Sequence, residues 1–518
     1  MKREYWWLLL IIIIAAYLRL ANITMLPPGL YPDEAMNGNN ALEAIHNTDF
    51  SAKGGPAFGW KIFYPENNGR EGLFINIQAL FIKTLGNFPW VLRLPSAIFG
   101  ILTVIGIYLL TRELFFKRNG VNITALLASF FAATSFWHIN FSRIGFRAIM
   151  APFFLVWGVY LLLLSLRQIK ENKSAKFYIL TSIFSGIIYG LGFYSYIAYR
   201  ATPLLILILL TTLLLNMGGE RKKALSLIAA FVGATIIVST PLSLYFLKNP
   251  QDFLGRTTQI SVFNSEAPLR DLSLNIVKTA GMFNFVGDGN WRHNIAGKPE
   301  LFWPVGILFL IGVVIGFIPI FRNQTTKNNF SNHLGFIGNF NFGFWILFAW
   351  LIVAAAPVVV SNEGVPHALR AILMAPAVFI IAAMGGAKIY EYLNGKIKNY
   401  VLETVSIAIL VTITFEAYAS YFIEWGKNPN VFDAFSGSYA AIARELNSLP
   451  NEKQKVVIVN ASGVDVRGTP MPAQTVMFLT DTFREEERIA KNIKYLTPDN
   501  LNQIKEAQEK EAFIIYLN

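Results

Sequence analysis

Apolar residues run through this chain in long blocks, separated by short stretches that are basic or aromatic. The blocks lie at about 5–22, 89–111, 122–138, 147–166, 177–196, 199–217, 224–246, 301–321, 341–360, 367–387 and 400–421. Each is long enough, or nearly so, to cross roughly 30 Å of hydrocarbon as a helix rising about 1.5 Å per residue. The pattern predicts a mostly α, polytopic membrane protein with about 11 transmembrane helices. The first block follows MKREYWW as a signal peptide would, but Tyr17, Leu18 and Arg19 suit no small-residue cleavage site, so it is read as a retained helix. From about residue 424 the pattern changes. Helix-like SYAAIARELNSL, strand-like KVVIVNA, helical NLNQIKEAQEKE and strand-like AFIIYLN predict a small α/β domain over 424–518, behind a membrane domain over 1–423.

Composition agrees with this division. The chain is 54% hydrophobic and 15% charged, whereas soluble domains carry about a quarter charged residues. With no cysteine, disulfides and thiolate metal sites are excluded. The formal charge of +12 belongs to the membrane part, because residues 424–518 hold 11 Lys+Arg against 13 Asp+Glu. Basic residues gathered in short loops mark the cytoplasmic side and argue against a nucleic-acid partner. With eleven crossings the N-terminus is then cytoplasmic. The long segments 23–88 and 247–300 and the tail are extracytoplasmic, in a multi-pass protein of the cell membrane.

Four apolar blocks enter from that outer side through similar words: VLRLPSAIF, GFRAIMAPFF, AYRATPLLI and ALRAILMAPAVF. Each sets an arginine (Arg93, Arg147, Arg200, Arg370) at the N-terminal end of a helix, where free N–H groups and the helix dipole favour an anion. Arginine adds a fork of donors matched to phosphate oxygens. A single such residue is ordinarily a snorkelling cation; four in equivalent places predict a phosphate-binding rim. Arg143, one turn before Arg147, and His367, three residues before Arg370, are expected on the same helical faces. At YPDEA, Asp33 is expected to cap a helix with Glu34 in its first turn. A carboxylate anchored there would also suit a general base acting on a hydroxyl.

The order YPDEA, then FYPENNGREGLFINIQALFIKTLG, then RLPSAIFGILTVIGIYLLTRELF closely resembles the start of the dolichyl-phosphate-mannose protein mannosyltransferase-like glycosyltransferases. These form glycosyltransferase family 39, of the GT-C fold, and are related to the aminoarabinose transferases of bacterial lipid A. The resemblance covers roughly residues 5–390 and is strongest over 31–115. It implies a membrane glycosyltransferase that moves a sugar from a polyprenyl-phosphate donor to a protein, lipid or glycan acceptor on the extracytoplasmic side. Residue by residue, it implies that Asp33 is the catalytic base or its close partner and that Glu34 is the neighbouring acid. Arg70 falls where relatives have a basic residue implicated at the lipid phosphate, although Glu71 and Gly72 stand here in place of a proline pair. GDGNWRHNIAGKPELFWP also resembles a family pattern, making Asp288, Arg292 and His293 site candidates.

The expected substrate-binding set is therefore Arg70, Arg143, Arg147, Arg200, Asp288, Arg292, His293, His367 and Arg370, with Asp33 and Glu34 catalytic. No metal is assigned, although Asp33, Glu34 and Asp288 could offer hard oxygen ligands to a divalent cation. Beyond the lipid bilayer, the expected partners are the polyprenyl-phosphate sugar and its acceptor. A transporter or flippase for lipid-linked sugars is the main alternative, but it would place ionisable residues near mid-membrane. A polymerase or ligase of lipid-linked glycans is the other.

Overall fold

The computed structural model describes residues 3–46, 60–259, 261–321 and 339–518. Eight helical stretches are long and apolar enough to cross a membrane, beginning at Pro89, Arg147, Ala175, Ile197, Gly218, Phe340, Arg370 and Asn399. Shorter apolar helices accompany them, so the chain is a multi-pass, mostly helical membrane protein.

In chain order, α1 (Arg3–Leu20) is followed by α2 (Pro32–His46), a short hairpin β1 (Phe63–Tyr64) and β2 (Arg70–Glu71), and α3 (Gly72–Leu85). Next come α4 (Pro89–Leu114), α5 (Val121–Thr134), α6 (Phe136–Phe141), α7 (Met150–Lys170), α8 (Ala175–Leu191), α9 (Thr202–Leu215) and α10 (Arg221–Lys248). The segment expected outside carries α11 (Pro250–Gln259) and α12 (Pro268–Gly281). Three further apolar helices, α13 (Trp303–Phe321), α14 (Phe340–Val359) and α15 (Ala375–Leu393), precede α16 (Asn399–Tyr418). Among the spans α15 is the most enclosed, packed between α5 and α13, whereas α10 and α16 present most of their surface outward.

The third apolar block, read as one helix over 122–138, is broken. Ser135 leaves the helical region at φ −69°, ψ 125°, and α6 restarts after it. The cause is Arg19, fully buried, whose guanidinium donates to Ala132 O at 2.9 Å and Ala133 O at 3.0 Å. These carbonyls lie in the last turn of α5, where intrahelical partners run out.

The tail holds α17 (Pro429–Ala434), α18 (Gly437–Ser448), β3 (Lys455–Val459), a small hairpin β4 (Asp465–Val466) and β5 (Thr469–Pro470), and α19 (Ala473–Leu479). It continues through α20 (Glu485–Ala490), β6 (Ile493–Leu496), α21 (Leu501–Glu509) and β7 (Phe513–Leu517). A parallel sheet of order β6-β3-β7 has KVVIV at its centre, buried along its whole length, as a parallel strand covered on both faces should be.

Helix α19 lies against α2, and the approach is close because Gly38 lacks a side chain: a Cβ there would sit 2.4 Å from the Phe478 ring. Polar ties reinforce the seam. Asn39 donates to Gln474 Oε1 at 2.9 Å, and Thr475 Oγ1 donates to Leu30 O at 2.9 Å. At the tip of the β4–β5 hairpin, Arg467 binds both oxygens of Glu43 at 2.9 and 3.0 Å and Glu66 at 2.8 Å.

Candidate active site

Helix α2 begins at Pro32, a residue favoured at the first helical position because its missing N–H would have no partner there. Asp33 is therefore the second residue of the helix and not its cap, contrary to the sequence expectation. Adjacent helical residues point about 100° apart, and this separates the two carboxylates. Asp33, Asn37 and Asn40, spaced i, i+4, i+7, form one polar stripe; Asp33 and Asn37 face a cleft. Glu34 turns the other way and is fully buried. Its Oε2 accepts from Arg93 Nε at 2.9 Å and from the Gly145 amide at 2.7 Å, and its Oε1 from Arg93 Nη2 at 3.2 Å. Arg93 also donates to Pro27 O at 2.8 Å and Gly29 O at 2.7 Å. Neither residue of this pair lines the cleft, because each satisfies the other inside the fold.

The hairpin β1–β2 turns through PENNG, where Asn67, Asn68 and Gly69 all have positive φ (52°, 62° and 79°). Asn and Gly are the residues that tolerate that region. The turn brings Asn67 Nδ2 to Asp33 Oδ1 at 2.8 Å. Alternation along β2 then sends its two charges to opposite sides. Arg70 donates to Asn37 Oδ1 at 2.7 Å and Asn40 Oδ1 at 2.5 Å, while Glu71 receives Arg147 at 2.8 Å and Arg200 at 3.4 Å. Burial, helped by nearby Arg147, lowers the Arg70 pKa to about 10, which still leaves it a cation at neutral pH.

Three of the four expected rim arginines stand on short 3-10 turns that feed the spanning helices: Arg147–Ile149 into α7, Ile197–Ala201 into α9 and Arg370–Met374 into α15, whereas Arg93 lies inside α4. Arg370 is held by Ser361 Oγ, by Glu363 O at 2.9 Å and by the Glu363 carboxylate at 3.0 Å. His367 precedes that turn, and its Nδ1 faces the Arg370 amide at 3.4 Å, so the two do not share a helical face as expected. Arg143 also departs from expectation. It follows α6 in a turn, is fully buried, and lies over Tyr421 and Phe422 at 4.9 and 5.1 Å. Its guanidinium donates to Leu18 O and Leu26 O, so it braces the core and lies outside the cleft.

On the loop before α13, Asp288 Oδ2 faces His293 Nδ1 at 2.9 Å and the Ala368 amide at 2.8 Å; His367 Nδ1 is 3.9 Å away. Burial pushes the Asp288 carboxyl up, but His293 and His367 together hold it below its ordinary value. Arg292 lies 4.0 Å over the ring of Tyr31, next to Asp33. Asp288, His293 and His367 each offer a ligand atom, all within 4.8 Å of one another, and so could hold a metal ion. Two imidazoles with one carboxylate and a free position is the donor set of an open zinc site. The all-oxygen set expected from Asp33, Glu34 and Asp288 does not assemble, because Glu34 is sealed against Arg93.

The cleft, of about 340 Å³, is lined by Asp33, Arg70, Arg147, Arg200, Arg292, His293, His367 and Arg370 among others. Asp288 sits just behind His293. Three other carboxylates line it, none of them expected from the sequence, and all have partners: Glu71 with two arginines, Glu363 with Arg370, and Asp252 with the Tyr245 hydroxyl at 2.7 Å. Asp33 differs, since among the described residues its hydrogen bond comes from a neutral amide. The NNG turn was the sequence signal for Asn67, since it forces a reversal that carries the following Arg-Glu pair back toward α2.

Residues 73–245 match the family described as dolichyl-phosphate-mannose-protein mannosyltransferase, which bears out the resemblance carried by the RLPSAIF helix. No curated protein matches the chain in sequence. Among solved structures, the archaeal oligosaccharyltransferase AglB from Archaeoglobus fulgidus, in complex with an inhibitory peptide and a dolichol-phosphate, is similar with TM-score 0.55 and 13% identity. That match covers 98% of this chain and 70% of AglB. ArnT from Cupriavidus metallidurans bound to undecaprenyl phosphate gives TM-score 0.54 and 12% identity over 98% of this chain and 89% of its own. The Archaeoglobus fulgidus oligosaccharyltransferase in complex with Zn and sulfate gives TM-score 0.50 and 14% identity, over 95% of this chain and 62% of that one. At such identities the likeness concerns the fold, which is the GT-C type implied by the sequence resemblance.

Proposed function

Proceeding from the family match over residues 73–245, we propose that this chain is a membrane glycosyltransferase that uses a polyprenyl-phosphate sugar, with Asp33 as general base. The observation that carries this reading is the cleft itself, lined by five guanidinium groups and by a carboxylate whose side-chain hydrogen bond, among the described residues, comes from an amide. The arginines neutralise the lipid phosphate, and Asp33 takes the proton of the acceptor hydroxyl. The acceptor oxygen forms a bond to the anomeric carbon as the carbon–phosphate-oxygen bond breaks, and the electron pair departs with the lipid phosphate. Arg147 and Arg200 share one counter-charge in Glu71, which leaves net positive charge for a phosphate.

The cleft opens at the N-terminal ends of α7, α9 and α15, opposite the basic loops, so we assign it to the extracytoplasmic side, with eleven crossings and a cytoplasmic N-terminus. A metal at Asp288, His293 and His367 would supply Lewis acidity close to the phosphate-binding arginines. Zinc analysis of purified protein is expected to find about one ion per chain, lost in the His293→Ala/His367→Ala double variant and kept in Asp33→Asn. Equal zinc in all three would remove the ion from this cluster.

The decisive test offers purified protein several polyprenyl-phosphate sugars and measures released polyprenyl phosphate. Release from none of them would overturn the reading. Arg370→Ala is expected to weaken polyprenyl-phosphate binding about tenfold or more, the size of a charge-assisted hydrogen bond. Unchanged affinity, measured by titration, would leave Arg370 as a support for Glu363 and Ser361 only.

A further inference from the structure

A second basic hollow lies away from the cleft, between the tail and the outer end of α4. Two cavities of about 190 and 430 Å³ share Asn447 and Leu479 and so form one groove along α18. Arg444 lines the first and has no hydrogen bond or ion pair among the described residues. Lys491 lines the second, its ammonium resting on Thr480 O at 2.5 Å. Behind it Lys455 is 1% exposed, and among the described residues its ammonium bonds only carbonyls, Pro450 O and Lys491 O, both at 2.8 Å. Asp481 is the one carboxylate among the lining residues. In a tail where acids outnumber bases, this face is the reverse.

Its other wall fixes its height relative to the membrane. Pro89 and Asn87 line the groove, and Pro89 is the first residue of a spanning helix. Asn87 Oδ1 is buried without a hydrogen-bond partner among the described residues. Between these two residues Phe88 is 51% exposed, stacked with Trp90 at 6.5 Å, and Leu85 on α3 is 43% exposed. Tryptophan at the end of an apolar helix marks where hydrocarbon meets head groups, and the exposed Phe88 and Leu85 beside it suit the hydrocarbon side.

A ligand here meets cations on one wall and lipid on the other. We propose that this groove binds the head group of an anionic phospholipid, its phosphate between Arg444 and Lys491 and its acyl chains passing Phe88 into the bilayer. The inference is independent of the glycosyl-transfer reading. Occupancy would tie the tail to the membrane beside Arg93, which also lines the groove and holds Glu34 next to Asp33.

The test reconstitutes the full chain with phosphatidylcholine containing a minority of phosphatidylglycerol and counts retained lipid by native mass spectrometry. Wild type is expected to keep phosphatidylglycerol selectively, and Arg444→Gln/Lys491→Gln to keep about tenfold less. Asp481→Asn should keep more, a change that general lipid coating of the helices would not produce. Soluble glycerol 3-phosphate at millimolar concentration should not displace the lipid; displacement would assign the groove to free phosphate esters and overturn the proposal. Equal retention by wild type and the double variant would overturn it as well. The substituted side chains lie at the surface or half-buried, so a melting curve matching wild type is expected alongside.

Discussion

Asp33→Asn is expected to lower sugar transfer about 10²- to 10⁴-fold, the usual contribution of a positioned general base, with the melting temperature nearly unchanged. Asparagine has the same shape and keeps an oxygen for the Asn67 amide that now bonds Asp33 at 2.8 Å. It loses only the favourable charge at the start of α2, about 0.3–1 kcal/mol. What it cannot do is accept a proton at neutral pH. Transfer and thermal unfolding measured on the same preparation separate the two roles. A variant with full activity would reduce Asp33 to a helix-start residue.

Glu34→Ala should give the opposite signature one residue along the chain. The Glu34–Arg93 pair is buried on both sides, at 0% and 1% exposure. Removing the acid leaves a buried guanidinium with two backbone carbonyls and no counter-charge, and frees the Gly145 amide, which donates to Glu34 at 2.7 Å. Breaking one partner of such a pair costs about 3–5 kcal/mol, read as a large drop in unfolding temperature in detergent. Glu34→Gln should fall between, because its amide oxygen can still accept from Gly145. Wild-type stability in Glu34→Ala would mean that the pair is solvated and that this division of labour between neighbouring carboxylates is wrong.

Much of the architecture was legible in the chain because a membrane leaves few choices. Uninterrupted apolar blocks must become helices that satisfy their own backbone groups, and the blocks at 89, 147, 177, 199, 224, 341, 367 and 400 each fall on one of the eight long spans. The arginines that precede three of them converge on one cleft, since repeated words at repeated helix starts end at one membrane surface. The tail segments AAIARELN, KVVIV and FIIYL also take the helix and strand forms their periodicity suggests.

Side-chain direction was decided elsewhere. A sequence cannot tell that Arg143 turns into the core toward Tyr421 while Arg147 turns to Glu71, because the helical phase between them is lost in the non-helical residues 144–146. Nor can it show that Asp288, more than 250 residues after Asp33, meets His293 and His367 behind the same cleft.

By itself, then, the sequence determined the membrane class, the eight long spans, the stretches where basic residues gather and the residue types available for phosphate chemistry, since all of these follow from hydropathy and composition along a line. Only the tertiary structure decided which of two adjacent acids faces substrate. The turn of α2 sends Asp33 to water and Glu34 to Arg93, and a buried charge must find its partner across the fold.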